Sequence, residues 1–274
     1  MTKTKTILVT VSTDGVGRLV AAKLAAEGAK VLVHGRNRER GESLLAEIRK
    51  AGGQAVFYPA DFSSLQQVRE LAEQVKRDHG RLDVLINNAG IGSASSQRET
   101  SADGYELHFA VNYLAGFLLT HLLLPLIKDS SPARIVNVSS LGQEKIDFAD
   151  VMLEHGYNGG RAYSQSKLAQ ILFTLDLAEE LKGSGVTVNC LHPATYMDTT
   201  MVRQAGITPL TSVAEGAEAI LYLALSKELK DTTGLFFDQM RPSRAHAQAY
   251  DLAARRQLRQ LSLELTGLPV NENS

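Results

Sequence analysis

The sequence predicts an α/β protein: one doubly wound domain with a parallel seven-stranded sheet between two helix layers. The first observation behind this is alternation. Seven strand-like runs, TILVT, KVLVHG, AVFYPA, LDVLIN, RIVNVS, VTVNCL and GLFFD, are separated almost throughout by amphipathic helical stretches. Such alternation builds a parallel sheet covered on both faces. The second is a change of period that begins in ILVTVSTDGVGR, where the β-branched residues Ile7, Val9, Thr10 and Val11 give way to apolar positions at Val16, Leu19, Val20 and Leu24. A strand, a polar turn and a helix therefore follow one another. The third is size: 274 residues with 44% hydrophobic content can bury one large core.

The remaining elements follow in order. The helix after the third run carries Leu65, Val68, Leu71, Ala72 and Val75 on one face, and Ser64 with Gln67 has the form of a capping box. Long helices are expected over 105–128 and 162–182, with a last one within 245–265. Three irregular segments interrupt the pattern: 142–160, 192–212 and the polar tail after Leu268. In a doubly wound sheet the ligand lies beyond the carboxyl ends of the strands, so the first two segments are expected to wall the site.

A formal charge of −1 gives no basic footprint for nucleic acid or anionic lipid. Small molecules are the expected partners. The single cysteine, Cys190, lies in an apolar run and reads as a buried, inert thiol, so no disulfide framework is expected. The sequence shows no signal-peptide core, and no stretch is judged to reach the ~20 apolar residues of a membrane span. A cytoplasmic protein without membrane association is the expectation.

The strand-turn-helix at Asp14-Gly15-Val16-Gly17 aims backbone N–H groups and a positive helix end at an anion, which suits a pyrophosphate. Asn87-Asn88-Ala89-Gly90 follows the fourth run, where a turn would meet the same ligand. Tyr163 and Lys167 are four apart on a helix, about 6 Å along its axis on one face. A neighbouring ammonium lowers a phenol's pKa and fits it for acid-base work. In dinucleotide folds an acid about twenty residues past the glycine turn selects NAD. Here Gly35 and Arg36 stand there instead, with Arg40 one helical turn further. Guanidinium forks fit a 2′-phosphate, so NADP(H) is expected over NAD(H).

The ordered set Thr10, Gly15, Gly17, Asp61, Asn87-Asn88-Ala89-Gly90, Asn112, Ser139-Ser140 and Tyr163-x-x-x-Lys167 resembles the short-chain dehydrogenase/reductase family across essentially the whole chain. RIVNVSS, AYSQSKLAQILFT and GVTVNCLHP are similar to its retinol-dehydrogenase and carbonyl-reductase branch. The resemblance implies a single NAD(P)-binding Rossmann-type domain over residues 1–274, with 142–160 an insertion and 192–212 a substrate loop. It implies that Tyr163 gives a proton to a substrate carbonyl, that Lys167 tunes Tyr163 and holds the nicotinamide ribose, that Ser140 orients the carbonyl, and that Asn112 keeps a proton relay hydrated. It also implies cofactor contacts from Thr10, Asp14, Gly15, Val16, Gly17, Arg36, Arg40, Asp61, Phe62, Asn88, Ala89, Gly90, Pro193, Ala194 and Thr195, and no metal.

Two departures stand out. The family's Thr-Gly is Thr10-Val11, and its His-Pro-Gly is His192-Pro193-Ala194. Valine matters more, because the leading glycine admits a tight turn that β-branched residues disfavour. Ser140 and Tyr163 are also 23 positions apart, with Phe148, Val151, Met152 and Leu153 between them as candidates for the substrate entrance opposite Tyr196, Met197, Met201 and Val202. The function expected is carbonyl-alcohol interconversion on a small lipophilic molecule by a monomer or small homo-oligomer. The alternatives are a reductase of steroid, sugar or acyl-carrier-bound ketones, and a non-catalytic NADP-responsive binding protein.

Overall fold

A computed structural model describes residues 4–92 and 97–269. Seven strands, β1 (Thr6–Val9), β2 (Lys30–Gly35), β3 (Gln54–Pro59), β4 (Val84–Asn87), β5 (Ala133–Val138), β6 (Val186–His192) and β7 (Phe236–Asp238), pair in parallel in the order β3-β2-β1-β4-β5-β6-β7. An eighth, β8 (Arg241–Ser243), adds antiparallel to β7 at the edge. It was not expected, because three exposed residues including Pro242 carry no apolar alternation. Proline is tolerated there because an edge strand has unpaired N–H positions.

The helices are α1 (Gly15–Ala26), α2 (Arg38–Lys50), α3 (Leu65–Asp78), α4 (Ala115–Asp129), α5 (Gly159–Glu180), α6 (Thr200–Gln204), α7 (Val213–Leu225) and α8 (Leu252–Thr266). Strand periodicity sorts the core into two faces. Ile7, Val9, Val31, Val33, Ile86 and Val138 pack with α1, α2 and α7, whereas Leu8, Leu32, Leu85, Ile135 and Val188 pack with α3, α4 and α5. The strand order reverses between β1 and β4, so the crevice opens at their carboxyl ends.

Asp14 caps α1 by accepting the Gly15 N–H at 2.8 Å, and Asn37 caps α2. Only half of the expected capping box forms on α3: Ser64 accepts the Gln67 N–H, while the Gln67 side chain takes the Asp61 N–H at 2.9 Å. The helix expected over 105–128 contains a π-helical turn, Phe109–Leu114, before α4. Contrary to the sequence reading, Phe109–Asp129 is long and apolar enough to cross a membrane. Two thirds of it is buried, because α4 packs on the sheet beside α3 while the preceding π-helical turn packs against α5. The last helix runs from Leu252 to Thr266, within one residue of the expected range, after Asp251 caps it, and it packs along α5. The polar tail falls outside the described residues from position 270 onward.

Candidate active site

The carboxyl ends of the central strands open on a cleft of about 1080 Å³. One end is built on the β1-α1 turn. Thr10 is fully buried, and its Oγ1 accepts the N–H groups of Asn88 at 2.9 Å and Ala89 at 3.0 Å. Asn88 returns its Nδ2 to the carbonyls of Thr10 at 3.0 Å and Val11 at 3.1 Å. The turns after β1 and β4 are thus braced to each other. Gly17 fits under this brace: a Cβ there would lie 2.4 Å from the Val11 carbonyl oxygen and 2.5 Å from Asn88 Nδ2.

Val11 has φ of +48°, the left-handed geometry in which glycine is ordinarily found. The backbone therefore turns as the family motif requires, with valine carrying the strain. Its N–H donates to Nδ1 of His34 at 3.1 Å, and Nε2 of His34 donates to the Ala60 carbonyl at 3.1 Å. His34 is buried and stacked 4.4 Å from Phe62, and burial pushes its pKa down to about 4. Sequence reading missed His34, although a polar residue in the apolar run KVLVHG was the available signal.

Arg36 and Arg40 line the same end of the cleft. Arg36 lies 3.6 Å from Asp61, and Arg40 lies 2.9 Å from Asp14. Both pairs are substantially exposed, so each contributes little and is readily exchanged for a stronger anion. Asp14 also accepts from the Thr200 hydroxyl at 3.2 Å, tying α6 to the α1 N-terminus.

At the other end stand Ser140, Tyr163 and Lys167. Ser140 Oγ accepts the Gly142 N–H at 3.0 Å, and Ser140 is close enough to the Tyr163 phenol to act on its pKa. Lys167 Nζ lies 5.7 Å from the Tyr163 ring centre and donates to the Val138 carbonyl at 3.0 Å and to Gln170 at 3.1 Å. The expected lowering of the Tyr163 pKa by lysine is not found: burial pushes the phenol up, partly countered by Ser140. Burial also pushes the Lys167 ammonium down to about 7. Both shifts favour the uncharged forms, and they leave Tyr163 protonated at neutral pH.

The other expected site residues divide. Gly15, Val16, Gly17, Asn88, Gly90, Pro193, Ala194 and Thr195 line the cleft, as do Tyr196, Met197, Met201 and Val202. Thr10 and Ala89 are buried beneath it and hold the turns together. The Phe62 ring belongs to the core against His34, and Asp61 accepts the Ser63 N–H at 2.9 Å beside it. Asn112 lies in the π-helical turn with its amide committed to protein: Oδ1 accepts the Ile91 N–H at 2.7 Å, and Nδ2 donates to the Ile91 carbonyl at 3.2 Å and Ser166 at 2.9 Å. Phe148, Val151, Met152 and Leu153 do not form the entrance. They pack into the core, and Leu141, Gly142 and Tyr157 face the cleft instead. Cys190 is buried, and its thiol is pushed up to about 12 by that burial.

The family model described as short chain dehydrogenase matches residues 5–209. This chain belongs to the short-chain dehydrogenase family. It is 38% identical to human retinol dehydrogenase 11 over 97% of this chain and 87% of that protein. Among solved structures it resembles an uncharacterized protein from Mycobacterium paratuberculosis, with a TM-score of 0.78 and 28% identity over 97% of this chain and 95% of that one. It also resembles a short chain dehydrogenase from Escherichia coli CFT073 complexed with NADPH, with a TM-score of 0.71 and 29% identity over 86% of this chain and 96% of that one. This short-chain dehydrogenase is accordingly an NAD(P)-dependent oxidoreductase of the retinol-dehydrogenase-like branch.

Proposed function

We propose that the enzyme interconverts a carbonyl and an alcohol on a small lipophilic molecule, using NADP(H) and Tyr163 as general acid/base. The observation carrying this reading is one cleft with two chemically distinct ends: Ser140, Tyr163 and Lys167 at one, and Arg36 and Arg40 beside the α1 N-terminus at the other. The residues present suit a dinucleotide. Gly15 at φ +53° and the closely braced Gly17 carry no side chain at the helix N-terminus and leave the N–H groups beyond the Asp14 cap for phosphate oxygens, and the two arginines suit a 2′-phosphate. Lys167 and the Asn88–Gly90 turn would hold the nicotinamide end, where the bound cofactor supplies or accepts the hydride.

The protein's own part is proton transfer and orientation. Ser140 donates a hydrogen bond to the substrate oxygen and fixes it beside the phenol. Tyr163, protonated at neutral pH, gives its proton to that oxygen as negative charge develops on it. Lys167 then favours the phenolate it leaves behind. Exposed Leu141, Tyr196 and Met201 at the mouth support a lipophilic substrate. The near-neutral charge and the core position of Phe109–Asp129 support a cytoplasmic setting without membrane association. Packing of α8 along α5 supports a monomer or small homo-oligomer, since it covers part of a long helix face that a second copy could use.

One observation favours the rival reading, a non-catalytic NADP-responsive protein: the strained Val11 in the phosphate-binding turn. Turnover separates the two. NADPH consumption is to be screened over aldehydes, ketones and quinones with the unmodified protein and Tyr163→Phe. The expected outcome is reduction by the first and a loss of about 10²-fold or more in the second, with NADPH binding retained. No turnover of any carbonyl despite NADPH binding selects the rival, and an unchanged Tyr163→Phe rate overturns the mechanism.

A further inference from the structure

A buried polar cluster beyond the Ser140-Tyr163-Lys167 group has no role in the reaction above. Glu106 and His108 are 1% and 3% exposed, yet His108 reaches the wall of the cleft. Nδ1 of His108 lies 2.8 Å from Glu106 Oε1, and Nε2 lies 2.9 Å from the Gly92 carbonyl oxygen. Glu106 accepts further bonds from the Phe109 N–H at 2.7 Å and the Tyr157 hydroxyl at 3.4 Å, as an ionised carboxylate does. Both ring nitrogens thus face acceptors. A neutral imidazole has only one N–H and can donate to only one of them, so an imidazolium beside an ionised Glu106 satisfies both.

The bond to Gly92 is one half of a clamp. Asn112, four residues further along, holds both backbone polar groups of Ile91. Side chains from one short segment therefore pin two consecutive residues of the turn that follows β4. Gly92 in turn abuts α6: a Cβ on it would lie 2.8 Å from Met201 Cγ. Gly92 and Met201 both line the cleft, so the clamp sets the distance between its two walls.

We propose that His108, held as an imidazolium by Glu106, is a positioning residue that clamps the Gly92 carbonyl and so fixes the substrate-facing wall opposite Met201. Loss of its proton leaves the ring one bond short, and the bond to Gly92 then survives only in the Nε2–H tautomer. A proton kept on Nδ1 leaves the Nε2 lone pair against the Gly92 oxygen, and one kept on Nε2 leaves Nδ1 against the carboxylate. The groups facing the ring are Glu106, Tyr157 and, at longer range, Glu99, while Arg98 is bonded to the Met152 carbonyl nearby. Burial pushes His108 down, but the bonds to Glu106 and Gly92 and the two carboxylate charges outweigh it and raise its pKa above the ordinary value. Burial pushes Glu106 up, and the bonds from His108 and Phe109 more than offset that. The doubly bonded ring therefore persists to higher pH than an ordinary histidine would allow and is lost on the alkaline side.

The kinetic consequence rests on the carbonyl-reduction reading, whereas the protonation state does not. The test combines two measurements. The first is ¹⁵N NMR of histidine-labelled full-length protein, with His108→Phe identifying the resonance. The expected result at pH 7 is a His108 ring protonated on both nitrogens, with the Gly92 amide resonance moved in His108→Phe and Glu106→Gln. A neutral His108 ring overturns the proposal whether or not the protein turns over any carbonyl. The second is steady-state kinetics with NADPH and the best carbonyl from the substrate screen, across pH 6 to 9. The expected result is a KM rise of about threefold or more on the alkaline side, moved toward acid in Glu106→Gln. In His108→Phe the KM is expected to be raised at every pH. A flat KM profile in the unmodified protein, or an alkaline rise that Glu106→Gln leaves in place, overturns the positioning role.

Discussion

Replacing Val11 by glycine separates the strain in the β1-α1 turn from its effect on the cofactor. The φ of +48° costs a β-branched residue about 1 to 3 kcal/mol, and glycine removes that cost. Glycine also adds freedom to the unfolded chain, worth about 0.5 to 1 kcal/mol against folding. Loss of a partly buried valine side chain costs about 1 kcal/mol more. The opposing effects nearly cancel, so unfolding stability should change by less than about 1 kcal/mol, a midpoint shift within about 4 °C. Binding behaves differently. The turn already holds its hydrogen bonds to His34 and Asn88, but the valine methyls line the cleft beside the helix N-terminus. Their removal should tighten NADPH by up to about tenfold, or 1.4 kcal/mol. Thermal unfolding by circular dichroism and NADPH fluorescence titration read the two effects. A stability loss above about 2 kcal/mol would mean that valine packs there without strain, and unchanged or weaker NADPH binding would refute the argument about the cleft.

Arg36→Asp should narrow or reverse a preference for NADPH over NADH by roughly ten- to a hundredfold, the worth of one charge-assisted bond of about 1.5 to 3 kcal/mol; equal binding of both cofactors by the unmodified protein refutes the premise. His34 should make the protein acid-sensitive. Its folded pKa of about 4 lies below the unfolded value of 6.5, so the unfolded chain binds more protons between them. Stability is then fully present above 6.5 and falls by about 3 kcal/mol as pH drops to 4. Urea unfolding across that window, compared with His34→Gln, checks this, and equal pH slopes in both proteins refute it. Light scattering should show a monomer or small oligomer, and a stable tetramer excludes that reading.

The fold was legible because its signals are local. KVLVHG reads as a strand and is one over Lys30–Gly35, and Leu65, Val68, Leu71, Ala72 and Val75 are the buried face of α3. The alternation of strands and helices then leaves few arrangements besides a doubly wound sheet. β8 was missed because its pairing depends on the hairpin with β7 and leaves no periodic trace. At the site, Tyr163 and Lys167 could be placed together from helical spacing, but their electrostatics could not. That depends on Gln170 and the Val138 carbonyl, which occupy the ammonium, and on a burial that no motif reports. Apolar residues of the insertion were ambiguous for the same reason. Phe148 and Val151 read equally well as entrance or core, and only the packing of segment 142–160 against the protein decides for the core.

Several groups that fold at a cost lie at or beside the cleft. Lys167 is buried without a carboxylate partner among the described residues, His34 is buried in its neutral form, and Val11 and Tyr196 both have left-handed backbone. The first of these bears on whether the protein is an enzyme or a binder. A 2′-phosphate and a pyrophosphate can be held by exposed arginines and backbone N–H groups, at Arg36, Arg40 and the α1 N-terminus, without a buried lysine. An ammonium pushed to about 7 beside a protonated phenol adds nothing to that task and destabilises the fold while it is charged. It is useful where charge develops on Tyr163 during proton transfer. The placement of Lys167 beside Tyr163 therefore suits proton transfer as well as a hold on the nicotinamide end, while the strain at Val11 bears on how tightly the cofactor is held.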